Sequence, residues 1–148
     1  MDWTNNDGYR VTDAHSAIDL DRVHWWLSED TYWALGRSRA VVERSIAGSL
    51  VFGLLAPDDE FVGFCRMVTD RATFAWLCDV YVARPYRGTG AGTFMVRCAV
   101  QHPDIAQVKR QVLATADAHG LYKKFGFRGF SDDERDRWMV RDQPEQLC

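Results

Sequence analysis

The chain has 148 residues, which suffices for one domain with a single substantial hydrophobic core. Its net charge of −3 argues against a nucleic-acid or membrane partner, and no apolar run approaches the ~20 residues needed to cross a bilayer. We expect no signal peptide, because the first ten residues contain no apolar region. The four cysteines, Cys65, Cys78, Cys98 and Cys148, lack C-x-x-C spacing and predict reduced thiols in a cytoplasmic protein with no bound metal.

The first half of the chain is predicted to contain an edge strand, two helices and a β-hairpin. Asp21 and Ser38 are the expected N-caps of the helices, since each side chain can accept a hydrogen bond from an N–H group of the first turn. Residues 28–30 are expected to interrupt the first helix, and Gly48 to end the second. In chain order, the predictions are a strand over 8–13, helices over 22–27 and 38–48, and hairpin strands over 50–55 and 61–68.

The second half begins with a central strand over 74–82, whose apolar run predicts burial on both faces. Pro85 prevents further ladder pairing, and a glycine-rich turn follows. The remaining predictions are a helix through 94–99, a strand over 108–115, a short helix capped by Asp117 and ended by Gly126, and closing strands over 127–130 and 138–141 separated by an acidic loop. The layout is therefore mixed α/β.

The order of buried strand, glycine-rich turn and helix predicts a binding site for a polyanion. Glycines allow a close backbone approach, and the turn leaves N–H groups at the positive end of the helix dipole. A P-loop is excluded because no lysine follows Gly92, and a dinucleotide fingerprint is excluded because the third glycine is absent. Glycines that form only a flexible turn are the alternative.

The pattern Arg87-x-x-Gly90-x-Gly92 resembles the pyrophosphate-binding turn of the GNAT superfamily of acyl-CoA-dependent N-acetyltransferases. A second stretch, 115–127, resembles the other family signature, with an Ala, then Leu-Tyr, then a Gly-Phe ending. The resemblance covers about Leu50 to Val140 and implies one N-acetyltransferase domain over 1–148. It implies a GNAT-like fold: a central, mostly antiparallel twisted sheet of six to seven strands flanked by about four helices.

The resemblance also implies acetyl-CoA as the co-substrate and assigns the residues that bind it. In the family, the strand before the turn carries a bulge and the pantetheine arm enters the gap beside it. Thr115 departs from the family pattern, which commonly has Asn there, and His119 either contacts the coenzyme or is a solvent-facing or capping residue. The predicted coenzyme-binding residues are Val80, Tyr81, Val82, Arg87, Gly88, Thr89, Gly90, Ala91, Gly92, Thr93, Thr115, His119 and Tyr122.

Two residues are predicted to be catalytic. Tyr122 matches the family tyrosine that protonates the departing thiolate, and a phenol is a suitable proton donor for that step. Packing on its helix, or positioning of the sulfur only, are the alternatives. Asp79 is an acidic residue within an apolar strand, where it could be the general base, or instead be paired with an arginine or hydrogen-bonded to backbone to support the strand.

The predicted function is acetyl transfer from acetyl-CoA to a primary amine of a small molecule by direct attack in a ternary complex. A non-catalytic acyl-CoA-binding regulatory module, or acetylation of a protein or peptide amine, are the alternatives. An aromatic cluster in the helical pair either lines the acceptor pocket, where ring faces attract cationic amines, or packs the pair onto the sheet. Its members are Trp25, Trp26, Tyr32 and Trp33. Homodimer formation is left open.

Overall fold

The computed structural model describes residues 1–143. Six strands form one sheet whose spatial order is the same as their order in the chain. The first five strands pair antiparallel with their neighbours, and the fifth and sixth pair in parallel. The strands are β1 (Asp2–Thr4), β2 (Arg10–Thr12), β3 (Leu50–Leu55), β4 (Phe61–Thr69), β5 (Phe74–Val82) and β6 (Arg110–Val112).

Helices cover both faces of this sheet. The five are α1 (Leu20–Asp30), α2 (Arg39–Ala47), α3 (Ala91–Val100), α4 (His119–Lys123) and α5 (Asp132–Arg137). Because successive strand residues point to opposite faces, Val51 packs with α1 and α2 whereas Phe52 packs with α3. Among residues 1–143, no helix is both long and apolar enough to span a membrane.

The predicted mixed α/β fold is confirmed, and in the described residues its mostly antiparallel sheet has six strands where six to seven were expected, with five α-helices where about four were expected. Both hairpin strands, the central strand and the caps of α2 at Ser38 and Gly48 lie where the sequence predicts them. The burial of β5 differs from the prediction, because its core-facing residues alternate with residues that are half-buried or exposed. Cys148 lies outside the described residues.

The N-terminal third contains a strand that was not predicted and a longer first helix. β1 pairs with β2 at the edge of the sheet. The N-cap of α1 is Asp19 rather than Asp21, since the Asp19 carboxylate accepts a hydrogen bond from the Arg22 N–H at 3.0 Å. Residues 28–30 continue the helix, and the Ser28 hydroxyl donates to the His24 carbonyl within it.

The C-terminal third departs most from the prediction. The two closing strands do not form, and no strand follows β6 in the described residues. The predicted acidic loop is instead the helix α5, because Ser131 and Glu134 form a reciprocal capping box at its N-terminus. The prediction of Asp117 as the cap of α4 was wrong, since the N-cap is Ala118 and no side chain caps the helix. The Thr115 hydroxyl instead accepts the N–H groups of Asp117 and Ala118 in the turn before it.

Candidate active site

β5 is bent at its centre and separates from β6 there. The parallel pairing ends at Trp76 and Val112, well before β5 itself ends. On its other side, the register with β4 shifts between Phe64 and Arg66, and Asp79 takes a φ of 56°. These features define a β-bulge at residues 78–80, which re-aims the strand and opens a gap beside it. The bulge expected from the family resemblance is therefore present.

The gap is a cleft of about 500 Å³ between the second half of β5 and residues 113–118. Asp79 and Val80 line one wall, Thr115 lines the other, and Tyr122 of α4 reaches in from the same side as Thr115. A smaller cavity of about 290 Å³ adjoins it, and His119 is one of the residues that line this second cavity. The Tyr32 hydroxyl accepts a hydrogen bond from the Ala116 N–H at 2.9 Å and so connects the α1–α2 segment to the second wall.

Tyr122 is buried, and its hydroxyl has no hydrogen-bond partner among residues 1–143. Burial, together with the smaller effects of the nearby Cys65, Tyr32 and Asp117, raises the pKa of Tyr122 to about 12. The side chain therefore stays protonated at neutral pH and presents an unshared O–H group to the cleft.

Asp79 lies at the bulge within a cluster of donors. Its Oδ1 accepts a hydrogen bond from Trp33 Nε1 at 3.1 Å, and its Oδ2 accepts from Arg37 at 2.9 Å and from Arg66 Nε at 2.7 Å. Arg66 also donates to the Ser49 hydroxyl at 3.1 Å. This is the arginine pairing that the sequence left open as the alternative to a catalytic base.

The glycine-rich turn lies on the surface at the N-terminus of α3. Gly90 is the N-cap of the helix and has a φ of 85°, a conformation that disfavours residues with a Cβ atom. The Thr89 hydroxyl donates to the Tyr86 carbonyl at 2.7 Å, which stabilises the turn internally. A Cβ atom at Gly92 would lie 3.2 Å from Val82, so glycine at this position lets α3 begin directly against β5.

The Arg87 side chain contacts residues at the end of β5 and the end of α1. Its Nε donates to the Val82 carbonyl at 2.7 Å, and its guanidinium lies 5.1 Å from the centre of the Tyr81 ring. Asp30, at the end of α1, pairs with Arg84 and Arg87 and accepts the Tyr81 hydroxyl at 2.6 Å. One carboxylate therefore fastens α1 to the end of β5 and to the turn.

We expect Asp30→Asn to destabilise the protein near neutral pH and to do so less in acid. The Arg84 and Tyr81 hydrogen bonds lower the pKa of Asp30 from 3.8 to about 2. Because the folded-state pKa lies below the ordinary value, the stabilisation is complete above pH 3.8 and is lost as the pH falls towards 2. Urea unfolding of both proteins over this range measures the difference, and a difference that stays constant down to the lowest pH would contradict the expectation.

Some of the predicted coenzyme-binding residues lie at the cleft, and the others lie outside it. Val80, Thr115 and Tyr122 meet at the cleft, with His119 exposed at its edge. Tyr81 does not line the cleft, and its ring packs on Trp26 at 5.0 Å between ring centres. Residues 87–90 are exposed, and Thr93 is half-buried in the first turn of α3.

The members of the aromatic cluster differ in their surroundings. Trp26 is buried and stacks on Phe61 and Tyr81, so it packs the helices onto the sheet. Tyr32 and Trp33 line the cleft and remain exposed. Trp25 is exposed and lines a separate depression of about 390 Å³ beside α1.

Sequence reasoning did not identify Arg37 or Arg66 as site residues. Arg66 interrupts the apolar strand β4 just as Asp79 interrupts β5, and these opposite charges in neighbouring strands are a signal that could have found the pair. Arg37 lies in a connecting segment 42 residues from Asp79, and nothing local indicates its contact.

The fold matches that of solved structures described as acetyltransferases. Residues 20–127 match the Acetyltransferase (GNAT) family. A crystal structure of a candidate GNAT-family acetyltransferase from Xanthomonas campestris pv. campestris is 36% identical, covers 98% of this chain and 99% of its own, and superposes with a TM-score of 0.87. The chain therefore belongs to the GNAT family of acetyltransferases.

One further relative agrees with this assignment, and a second shares the fold. A candidate acetyltransferase of Gibberella zeae is 28% identical over 89% of this chain and 85% of its own length. A protein from meticillin-resistant Staphylococcus aureus, described as a probable acetyltransferase, has a TM-score of 0.71 at 21% identity, covering 91% of this chain and 99% of its own. At that identity the likeness concerns the fold alone. Membership in the family implies acyl transfer from acetyl-CoA.

Proposed function

We propose that this protein transfers the acetyl group of acetyl-CoA to a primary amine of a small molecule, by direct attack of the amine in a ternary complex. The observation that carries the proposal is the separation of β5 from β6 beside Tyr122. It leaves the part of β5 that follows Trp76 without a β6 partner, and Cys78, Asp79 and Val80 line the resulting gap. A pantetheine arm has an extended shape and amide groups that can pair with such a strand.

The glycine-rich turn is suited to bind the diphosphate group of acetyl-CoA at the start of α3. Its backbone N–H groups lie at the positive end of the helix dipole, and Gly88 and Gly90 have no described atom within 4 Å of where a Cβ would project. The space above the turn is therefore open to a ligand. Gly88, Gly90, Ala91 and Gly92 would donate backbone N–H groups, with Thr93 and Arg87 nearby.

The residues of the cleft can perform the steps that acetyl transfer requires. A backbone N–H at the bulge would stabilise the thioester oxygen as negative charge develops on it. The amine nitrogen forms a bond to the carbonyl carbon while the carbon–sulfur bond breaks. The amine, which is an ammonium ion at neutral pH, gives one proton to solvent before it attacks and a second after the bond has formed. Tyr122 gives its proton to the departing sulfur and takes one back from solvent.

Asp79 as the general base stays a prediction. Its oxygens already accept three hydrogen bonds, two of them from guanidinium groups, and its side chain is only 2% exposed. An amine could reach it only by displacing one of these donors. We therefore favour a positioning role, in which Asp79 holds Arg37 and Arg66 at the cleft.

Cys78 lines the cleft but is unsuited to an acyl-enzyme intermediate. Burial raises the pKa of its thiol to about 11, so the reactive thiolate is scarce at neutral pH. We expect Cys78→Ala to keep turnover within about twofold, since surface or cleft residues without a chemical role cost little. Cys98→Ala is the matched control in α3, and a covalent acetyl group found on Cys78 by mass spectrometry would contradict direct attack.

Calorimetric titration with acetyl-CoA, with ATP and NADPH as controls, tests the coenzyme site directly. Binding of acetyl-CoA alone supports the proposal, and release of free thiol in the presence of amines then tests the transferase. Binding without thiol release for any amine would favour the regulatory module instead. Absence of binding would overturn the proposed function.

A further inference from the structure

We propose that the acceptor amine also carries a carboxylate, which Arg37 and Arg66 bind, so that the substrates are amino acids or close analogues. The inference rests on the acetyl transfer proposed above and specifies its acceptor. It starts from the charges that line the cleft, which differ between its two walls.

The first wall presents cationic groups. Arg37 and Arg66 share the single carboxylate of Asp79, so this buried cluster has one positive charge more than it has negative. The Asp79 side chain is 2% exposed, whereas those of Arg37 and Arg66 are 18% and 11% exposed. What a ligand meets here is guanidinium, and Arg37 uses only one of its terminal nitrogens to bind Asp79. A guanidinium fork suits a carboxylate.

The second wall presents the opposite charge. Asp117 lines the same cleft from the segment after β6 and is exposed. It is close enough to Tyr122 to raise the pKa of that phenol, so it lies on the side where the acid is placed. An ammonium near Asp117 and Tyr122, with a carboxylate towards Arg37, would therefore match the charge on both walls. This arrangement fits a molecule that has both groups.

Three exposed aromatic side chains complete the lining. Tyr32, Trp33 and Trp76 line the cleft and are 58%, 42% and 44% exposed. Large exposed rings grouped around one cavity are typical of a binding site, since they offer apolar area that water does not favour. They would accommodate the side chain of the amino acid, and aromatic amino acids are the first probes to use.

The first experiment compares acceptors that differ only in the carboxylate. Free-thiol release from acetyl-CoA is measured for the standard amino acids other than proline, which is a secondary amine, and cysteine, whose own thiol would be counted. Phenylalanine, tyrosine and tryptophan are each paired with the amine that lacks the carboxylate. We expect the amino acid of an active pair to have a kcat/KM at least about tenfold higher than the amine without a carboxylate. That amine cannot accept the charge-assisted hydrogen bond from Arg37. Equal or better turnover of the decarboxylated amines, or no turnover of any amino acid, would overturn the inference.

The second experiment removes the cation. Arg37→Gln should raise KM for the active amino acid about tenfold or more while leaving the amine without a carboxylate unaffected. Arg37→Lys should restore part of the loss, and Arg39→Gln is the matched control, because Arg39 pairs with Asp21 on the surface. An equal effect of Arg37→Gln on both acceptors would assign Arg37 a merely structural role and overturn the inference.

Acetyl-CoA binding separates the two proposals. Each variant is titrated with acetyl-CoA, and unchanged affinity shows that the fold and the coenzyme site are intact. If the wild-type protein binds no acetyl-CoA, the proposed function fails. If it binds and acetylates amines without regard to a carboxylate, the proposed function stands and only the acceptor class is wrong.

Discussion

Replacing Gly90 by glutamate is expected to weaken acetyl-CoA binding by about 100-fold or more, since juxtaposing like charges costs several kcal/mol. The new side chain would project into the open space above the N-terminus of α3, where no described atom lies within 4 Å. A carboxylate there would occupy the site proposed for the diphosphate and repel it. Calorimetric titration of the purified variant measures the loss.

Two control variants separate charge from backbone strain. Gly90→Ala adds the strain of a left-handed residue, about 1–2 kcal/mol, without a charge. Gly126→Glu adds both the strain and the charge at a glycine with a φ of 87°, which also has open space around it but lies in the turn after α4, outside the cleft. We expect Gly126→Glu to bind acetyl-CoA normally. Wild-type affinity in Gly90→Glu would show that the turn does not bind the coenzyme.

Tyr122→Phe is expected to lower kcat about 100-fold, the range typical of a lost general acid, with little change in acetyl-CoA affinity. The substitution removes one hydroxyl that no described residue hydrogen-bonds, so the packing of the ring against Phe127 is kept. Steady-state kinetics together with calorimetry measure the two effects separately. Unchanged turnover would leave Tyr122 as a packing residue only.

A second tyrosine and the pH profile sharpen this test. Tyr86→Phe removes a hydroxyl that donates to Glu60 outside the cleft, and it should keep full turnover. Because the pKa of Tyr122 is about 12, its ionisation should not lower the wild-type rate at any pH below about 10. A fall in rate near neutral pH that disappears in Tyr122→Phe would contradict that assignment of the pKa.

Local chemistry was enough to predict the parts of the fold that depend on neighbouring residues. The bounds of β5, the helix after the glycine turn and the caps of α2 follow from patterns within a few positions. Residues 127–130 and 138–141 were predicted as strands on the same kind of pattern, and this failed. A strand requires a partner as well as a suitable sequence, and the described chain offers these segments none.

The candidate site shows the same limit. Tyr122 and the glycine turn could be predicted because each belongs to a short motif. The surroundings of Asp79 could not be predicted, since its three hydrogen-bond donors lie between 13 and 46 residues away in the chain. Two come from the segment between α1 and α2, and one comes from β4. Aspartate in an apolar strand indicates that a partner must exist, but only the tertiary structure determines which arginine or tryptophan it is.

The strands lie in the sheet in the same order as in the chain, which affects how the protein can fold during synthesis. Every strand from β2 to β5 pairs with the strand made just before it, so the first five can add one at a time as the chain leaves the ribosome. The cleft needs residues 113–122, which are made later. The cleft wall formed by residues 113–122 therefore joins a sheet whose antiparallel part can already have formed.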